Sequence, residues 1–172
     1  KFKTVNWGDP MDPETTLAPL SSAEAKKDVL AQIKLALDHG ATAVYGNEPI
    51  DHPGNFVHPT VLTNISKANP IYNTEIFGPV ASIYQVDSEE EAIELANDSS
   101  YGLGGTVFCK DVDHAKAVAA KIETGMSFIN SGWTSHPEIP FGGIKNSGYG
   151  RELSQLGFDA FVNDHLIFTP HS

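Results

Sequence analysis

Glu75-Ile76-Phe77-Gly78-Pro79-Val80 decides how this sequence folds, because a carboxylate, an aromatic ring and a bend stand directly before an apolar run. The glycine lets another group approach the backbone, and the proline fixes φ and has no N–H to donate. The pattern predicts that Glu75 and Phe77 lie at the mouth of a strand over Val80–Val86, where ligands bind in α/β sheets. A carboxylate there accepts hydrogen bonds from two hydroxyls of a ribose, and the ring covers an apolar or planar ligand face. The alternative is an ordinary turn with a solvated glutamate and a core phenylalanine.

Length and composition favour one α/β domain with a sizeable core: 172 residues, 40% of them hydrophobic, with 15 Gly and 11 Pro. The net charge of −11 supplies no basic surface for nucleic acid or anionic lipid. No apolar run approaches the roughly 20 residues that span a bilayer, and the first residues lack the apolar core of a signal peptide. We therefore expect a soluble, cytoplasmic protein that binds neither nucleic acid nor membrane.

The cysteine and histidine content indicates no metal site. A single cysteine, Cys109, excludes an internal disulfide and a cysteine-based metal cluster. The seven histidines form neither an HExxH motif nor a pair at helical spacing. We predict that the protein binds no structural metal.

Apolar periodicity predicts three helices. The first, over residues 22–39, follows a capping box at Ser21 and Glu24 and ends at Gly40. The second follows a capping box at Ser88 and Glu91 and ends at residues 97–98. The third covers residues 112–123, with Gly125 as its C-terminal cap. Their inward faces are predicted from spacing: Val29, Leu30, Ile33, Ala36 and Leu37; Ala92, Leu95 and Ala96; Ala115, Val118, Ala119 and Ile122.

The predicted strands alternate with these helices. They cover residues 42–45 (buried), 56–63, 80–86, 104–109 and 126–130, and Pro59 favours an edge position for the second. Strands separated by helices of about ten residues or more require crossover connections. The sequence therefore predicts an α/β fold with three αβα layers and a mainly parallel sheet.

The last quarter of the chain is less regular. Ser131–Gly150 is rich in Gly and Pro and has no apolar period, and loops of that length are usually functional or disordered. Arg151–Leu156 is predicted to form one or two helical turns, and Phe158–Phe168 a final strand.

Cys109 is a poor candidate for a nucleophile. It stands in the apolar strand pattern Gly105–Cys109, with Lys110 as its only nearby cation and no histidine placed by a motif. Buried thiols of this kind are usually inert. The alternative, a redox or transferase thiol, predicts labelling of the folded chain by iodoacetamide.

Residues 75–80 resemble the EIFGPV signature of the aldehyde dehydrogenase superfamily. Three further segments occur in that family's order: Gly8–Pro10, Tyr101–Leu103 and Pro140–Glu152. The similarity runs from about Trp7 to Phe168. In Phe128–Asn130 and Pro140–Glu152 it most resembles the succinate-semialdehyde dehydrogenases of that family.

The resemblance implies that this chain is the C-terminal part of a catalytic domain. The family's nucleophilic cysteine, general-base glutamate, oxyanion asparagine and Gly-rich cofactor unit would all precede Lys1, so no catalytic residue is expected here and the isolated chain should be inactive. In the family a thiolate attacks the aldehyde, hydride passes to nicotinamide, and water hydrolyses the thioester. Residues 1–157 would be the partial catalytic domain, and residues 158–172 a tail that joins subunits of a homo-oligomer by strand addition.

The resemblance also implies which residues bind NAD or NADP. Glu75 would hold the nicotinamide ribose, and Phe77 would limit the position of the nicotinamide. Leu103 matches a residue beside the nicotinamide half, although a core leucine fits its position equally well. The choice between NAD and NADP rests on residues outside this chain.

The aldehyde pocket is assigned in the same way. Phe141 inherits the role of the phenylalanine in the family's PFGG motif, which walls the pocket, and Trp133 and Ser135 would shape its far end. We expect Ser135 to hydrogen-bond the carboxylate of succinate semialdehyde. We expect His136 to be solvated. Two alternatives remain: a dehydrogenase for another aliphatic aldehyde, and an interaction module without enzymatic activity.

Overall fold

The computed structural model describes residues 2–170, which form two compact units, one ending at Gln85 and the other beginning at Val86. Length and composition did not indicate this division. Both units combine helices with small sheets, which confirms the α/β class. No described helix is both long and apolar enough to cross a membrane.

The first unit contains a three-stranded sheet and one long helix. Its elements are a 3-10 turn at Phe2–Thr4, helix α1 (Ala23–Asp38) and strands β1 (Thr42–Tyr45), β2 (Thr60–Thr63) and β3 (Val80–Ser82). The strand order is β1-β2-β3, with β1 antiparallel and β3 parallel to β2.

Three strand predictions for this unit need correction. The edge position predicted from Pro59 is wrong, because β2 is the central strand. It begins at Thr60, one residue after the proline, so the missing N–H lies outside the ladder. Strand β1 is not buried: its residues alternate between exposed and half-buried, as they do at a sheet edge with one face covered. Strand β3 ends at Ser82, four residues earlier than predicted.

Helix α1 begins one residue later than the predicted capping box. The cap is Ser22, whose extended backbone (φ −156°, ψ 164°) lets its hydroxyl accept a hydrogen bond from the N–H of Ala25 at 3.0 Å. The predicted end at Gly40 is confirmed, since this glycine has φ +94°. Leu30, predicted to face inward, is 44% exposed because it lies one position beyond the buried stripe of Val29, Ile33 and Ala36.

The core of the first unit joins α1 to the sheet. Its buried members are Val29, Ile33, Ala36, Ala41, Val57, Leu62, Ile65 and Ile71. Two polar residues of this unit are buried as well, Thr60 and Asn69, and Asn69 is 3% exposed. The amide of Asn69 donates to the carbonyls of Ala36 (2.9 Å) and His39 (3.2 Å), and its oxygen accepts from the N–H of Ile71 (3.1 Å). A buried side chain thus satisfies the carboxyl end of α1.

The second unit is built from shorter elements: α2 (Glu89–Asn97), β4 (Tyr101–Gly102), β5 (Gly104–Val107), α3 (Val112–Ala119), β6 (Met126–Ile129), β7 (Ile144–Lys145) and α4 (Ser154–Asp159). Strands β5 and β6 are parallel and joined through α3, which confirms the predicted crossover unit. Strands β4 and β7 pair antiparallel, so a short strand interrupts the predicted loop 131–150.

Helices α2 and α3 confirm part of their patterns. The hydroxyl of Ser88 accepts from the N–H of Glu91, whose carboxylate accepts from the N–H of Asp87, as in a capping box. However, α2 buries none of its residues, and both Ala92 and Ala96 are exposed because little of the described chain packs on that face.

Helix α3 ends at Ala119, so Gly125 is not its cap. The N–H of Gly125 donates instead to the carbonyl of Gly102 at 3.0 Å. The N-terminal cap of this helix is Asp111, which sequence reasoning missed.

The predicted final strand is not formed. Phe158 lies in α4, and residues 163–170 have no regular structure. Leu166, Ile167 and Phe168 are 85%, 81% and 77% exposed. A strand needs a neighbouring backbone to pair with, and this segment meets none within the described chain.

Candidate functional site

The bend at residues 75–80 presents one carboxylate and one ring to solvent. The N–H of Gly78 donates to the carbonyl of Ile76 (2.8 Å), and the N–H of Val80 donates to the carbonyl of Gly78 (2.7 Å). These are two consecutive three-residue turns, and they bend the chain sharply just before β3 begins at Val80. Ile76 packs against the core, while Phe77 is 77% exposed.

Glu75 is free for a ligand. Its side chain is exposed and has no hydrogen bond or ion pair within residues 2–170. The structure thus places an exposed carboxylate and an exposed ring just before the amino end of β3, and their role in binding a ligand stays a prediction. The pair can accept hydroxyl hydrogen bonds on one side and cover a planar group on the other.

Gly78 allows α1 to pack directly beneath this bend. A Cβ built on Gly78 would lie 2.8 Å from both Cγ atoms of Val29, which is 2% exposed. Only a residue without a side chain lets the helix approach so closely. The position of Glu75 and Phe77 is therefore set by the core of the first unit.

In the second unit, loop 131–140 and the following segment bring two predicted pocket residues together. The rings of Trp133 and Phe141 stack, with centroids 5.5 Å apart and an interplanar angle of 29°. Phe141 is fixed by two backbone hydrogen bonds with Glu152, at 2.8 and 2.7 Å. Trp133 remains 61% exposed, so the stacked rings form an apolar wall with one open side.

Ser135 and His136 stand on the same loop as Trp133. Within the described chain the Ser135 hydroxyl has no hydrogen bond, whereas the His136 ring contacts the hydroxyl of Thr134 at 3.1 Å. Both residues are exposed. Ser135 is thus available as a donor beside the aromatic wall.

Leu103 lies between β4 and β5, close to the glycine pair of the PFGG motif. Its carbonyl accepts from the N–H of Met126 at 3.2 Å, and a Cβ on Gly143 would come within 3.1 Å of its Cα. The side chain is 36% exposed, so it is not a core leucine in this chain.

The glycine-rich segment closes tightly on β4 and β6 through contacts that sequence reasoning missed. A Cβ on Gly125 would lie 2.0 Å from the carbonyl oxygen of Gly142. The Arg151 guanidinium donates to the carbonyls of Gly143 (3.0 Å) and Gly150 (2.6 Å). A single arginine after a run of glycines is the sequence signal for such a clamp, because backbone carbonyls left free by irregular chain need donors.

Lys145 fastens the same segment to α2. Its ammonium donates to the carbonyls of Asn97 (2.9 Å) and Ser99 (3.1 Å), and it pairs with the Glu123 carboxylate at 2.7 Å. The loop that carries Phe141 is therefore held at several points by the body of the second unit.

Cys109 does not lie inside a strand, which corrects the prediction. It is half-buried and stands two residues after the end of β5. The Asn130 carboxamide bonds to both backbone groups of Cys109: the Cys109 N–H donates to the Asn130 oxygen at 2.8 Å, and the Asn130 amide donates to the Cys109 carbonyl at 2.7 Å.

Among residues 2–170 no group of three or more His, Cys, Asp or Glu side chains is placed to hold a metal ion. Glu75 and Phe77 lie in the first unit, and Leu103, Trp133 and Phe141 lie in the second.

Comparison with known proteins agrees with the signature segments. The model of the aldehyde dehydrogenase family matches residues 1–167. A succinate-semialdehyde dehydrogenase [NADP(+)] of Deinococcus radiodurans is 51% identical over 166 residues, which cover 96% of this chain and 35% of that protein. A protein of the same name from Mycobacterium avium is 43% identical over 168 residues, or 98% of this chain and 36% of that protein.

Solved structures give the same assignment. The succinic semialdehyde dehydrogenase of Streptococcus pyogenes, crystallised with NADP+, superposes with a TM-score of 0.96 at 75% identity, over 99% of this chain and 37% of that one. The chain thus spans about a third of the length of the curated relatives that it matches. Its α/β fold is that of an αβα aldehyde dehydrogenase domain. The chain belongs to the aldehyde dehydrogenase family.

Proposed function

We propose that this chain is the C-terminal part of an NADP-dependent succinate-semialdehyde dehydrogenase, and that it orients the nicotinamide ribose and walls the aldehyde pocket. The observation that carries the proposal is the 75% identity to the Streptococcus pyogenes enzyme over 99% of the chain. The relatives' names supply the preference for NADP over NAD.

The residues at the bend fit the ribose end of such a cofactor. Glu75 has an exposed carboxylate without a partner in the described chain, and a ribose offers two hydroxyl donors. Phe77 beside it can restrict a planar ring. The bound cofactor would supply the hydride acceptor, while these two residues orient it and donate no proton or electron pair to the reaction. Leu103 would be a further apolar contact of the nicotinamide half, and it is 36% exposed.

The loop in the second unit fits the aldehyde end. The stacked rings of Trp133 and Phe141 wall an apolar chain, and the free hydroxyl of Ser135 can donate to a distal carboxylate. A buried carboxylate needs donors to replace lost water. Residues 131–140 contain neither Arg nor Lys, so a full counter-charge would come from the part of the enzyme outside this chain.

A chimera tests the assignment directly. In it, this chain replaces the segment that it matches in the Streptococcus pyogenes enzyme. We expect the chimera to reduce NADP+ with succinate semialdehyde, and the isolated 172-residue chain to be inactive because it supplies orientation without nucleophile or base. An inactive chimera, or turnover by the isolated chain that depends on Cys109, would contradict the proposal. A clear preference for butanal would move the substrate to the simple aliphatic aldehydes.

Glu75→Gln in the chimera tests the role at the ribose. Loss of one charge-assisted hydrogen bond costs on the order of 1–3 kcal/mol, and we expect it to slow the hydride step more than it weakens NADP+ binding. Stopped-flow NADPH formation in a single turnover measures that step. An unchanged rate would remove Glu75 from the site.

The tail supports a proposal about assembly. Leu166, Ile167 and Phe168 are each more than three-quarters exposed in a segment without backbone partners. We propose that residues 163–170, the described part of the predicted tail without regular structure, pair with a second copy of the enzyme and close a homo-oligomer. Phe168→Glu should shift the chimera to a smaller species in sedimentation analysis, and an unchanged mass would contradict this use of the tail.

A further inference from the structure

The side chain of Asn130 continues the β5–β6 ladder where the backbone leaves it. The last parallel pair is Val107 with Ile129, and the N–H of Asn130 still donates to the carbonyl of Val107 at 2.9 Å. The backbone then turns away through φ +51° at Asn130. Its carboxamide makes the next two bonds, to the N–H (2.8 Å) and the carbonyl (2.7 Å) of Cys109.

This arrangement fixes the direction in which loop 131–140 starts. The carboxamide has the same donor and acceptor as a peptide group, so β5 keeps its hydrogen bonds while the main chain is released. A left-handed backbone is tolerated by Asn because its short polar side chain can bond locally. The released chain leads within three residues to Trp133, the first ring of the aromatic wall.

We propose that Asn130 is a positioning residue for the aldehyde pocket, acting through the entry of loop 131–140 and the Trp133–Phe141 stack. The inference rests on the proposed function, because it assigns a role within the same site. Asn130 touches neither aldehyde nor cofactor in this assignment. It fixes the position of Trp133 at the start of loop 131–140. Glu152 does the same for Phe141 at the end of that loop, through two backbone hydrogen bonds.

The chain contains a matched control in Asn97. Its amide donates to the carbonyl of Lys121 (2.9 Å), and its oxygen accepts from the N–H of Glu123 (2.8 Å). This is the same two-bond bridge to backbone, made before the start of β6 instead of after its end. Asn97→Asp therefore removes the same kind of amide donor as Asn130→Asp does, without disturbing the start of loop 131–140.

Two substitutions separate the roles of Asn130. Asn130→Asp keeps the acceptor and the tolerance for positive φ, but sets a carboxylate against the Cys109 carbonyl. Asn130→Gly keeps the left-handed backbone and loses both side-chain bonds. If the bridge positions the loop, we expect both variants of the chimera to raise KM for succinate semialdehyde by about tenfold, with KM for NADP+ within about twofold of the parent. Asn97→Asp should leave both constants near those of the parent.

Hydrogen exchange gives a second readout that does not depend on turnover. Peptides covering residues 131–141 should exchange faster in both Asn130 variants, while peptides from α3 stay unchanged. Parental exchange and parental KM in Asn130→Gly would overturn the proposal and leave only the backbone conformation as the role of Asn130. Equal effects of Asn97→Asp and Asn130→Asp on KM would also overturn it, since they would indicate general destabilisation. An inactive chimera refutes the proposed function, and the exchange rates still decide the role of Asn130.

Discussion

Gly78→Ala is the substitution that tests most directly why the bend stands where it does. The added methyl group would lie 2.8 Å from Cγ1 and from Cγ2 of Val29. Carbon atoms pack best at about 3.5–4.0 Å, so both contacts are strongly repulsive. Val29 is 2% exposed, so its methyl groups are enclosed by the core and cannot turn out into solvent. The clash with Val29 accounts for the whole expected cost, because Gly78 does not have a positive φ and an alanine there adds no backbone strain.

The expected magnitude follows from overpacking of a dense core. Extra carbon atoms in such cores typically cost about 1–3 kcal/mol, and we expect Gly78→Ala to destabilise the first unit by that amount. Val29→Ala removes two methyl groups, worth about 1.6 kcal/mol of burial before any cavity term. In the double variant the new methyl fills space that Val29 vacated. The double variant should therefore lose roughly 1–3 kcal/mol less stability than the sum of the two single losses.

Native-state hydrogen exchange of residues 23–38 in the chimera measures this free energy locally. Gly132→Ala is the control, because a Cβ at Gly132 meets nothing within 4 Å. We expect it to leave the opening free energy of α1 within about 0.5 kcal/mol of the parent. Additive costs for Gly78→Ala and Val29→Ala would refute the packing argument. The bend would then owe its position to its own turns.

Three further outcomes follow from contacts described above. Ser135→Ala should raise KM for succinate semialdehyde several-fold, by about 1 kcal/mol, and leave butanal nearly unaffected; equal effects on both substrates would mean that Ser135 only supports the loop. Asn69→Ala removes the amide donor from the carbonyls of Ala36 and His39 and the acceptor of the buried Ile71 N–H, so the thermal midpoint should fall with a loss of about 1–3 kcal/mol, and an unchanged midpoint would show that water replaces the amide. Burial, and then the charge of Tyr72, raise the pKa of Tyr84 above 10.0, so its contribution to stability is complete below pH 10.0 and lost as pH rises through the higher folded-state pKa. As pH rises into the alkaline range, the unfolding midpoint should fall less steeply in Tyr84→Phe than in the parent. Identical slopes in the two proteins would show that Tyr84 does not contribute to this pH dependence.

The fold class and the bend could be predicted because their signals are local. The alternation of strands and helices over residues 104–129 predicted a parallel crossover, and β5 and β6 form one. The capping residues Ser88 and Glu91 fixed the start of α2. At α1, Ser21 and Ser22 offer the same hydroxyl, and only the backbone angles distinguish them.

Other features depended on contacts far apart in the sequence. Pro59 predicts an edge strand, yet β2 is the central strand. The proline does not prevent this, because the ladder begins one residue later, at Thr60. Ala92 and Ala96 have helical spacing, but spacing does not say whether anything covers a face. Phe158–Phe168 has a strand's composition, and composition supplies no partner strand. Arg151 could not be assigned to its carbonyls until the glycine segment was seen folded against it.

The boundary between Gln85 and Val86 has a consequence for protein engineering. All three strands β1–β3 pair among themselves before it, and β4–β7 pair among themselves after it, so a crossover there breaks no ladder. Glu75 and Phe77 would travel with the first parent, and the stacked rings of Trp133 and Phe141 with the second. Libraries recombined at this peptide bond can therefore exchange the segment that carries Trp133 and Phe141 for that of another aldehyde dehydrogenase, while the bend at residues 75–80 keeps its own supporting helix.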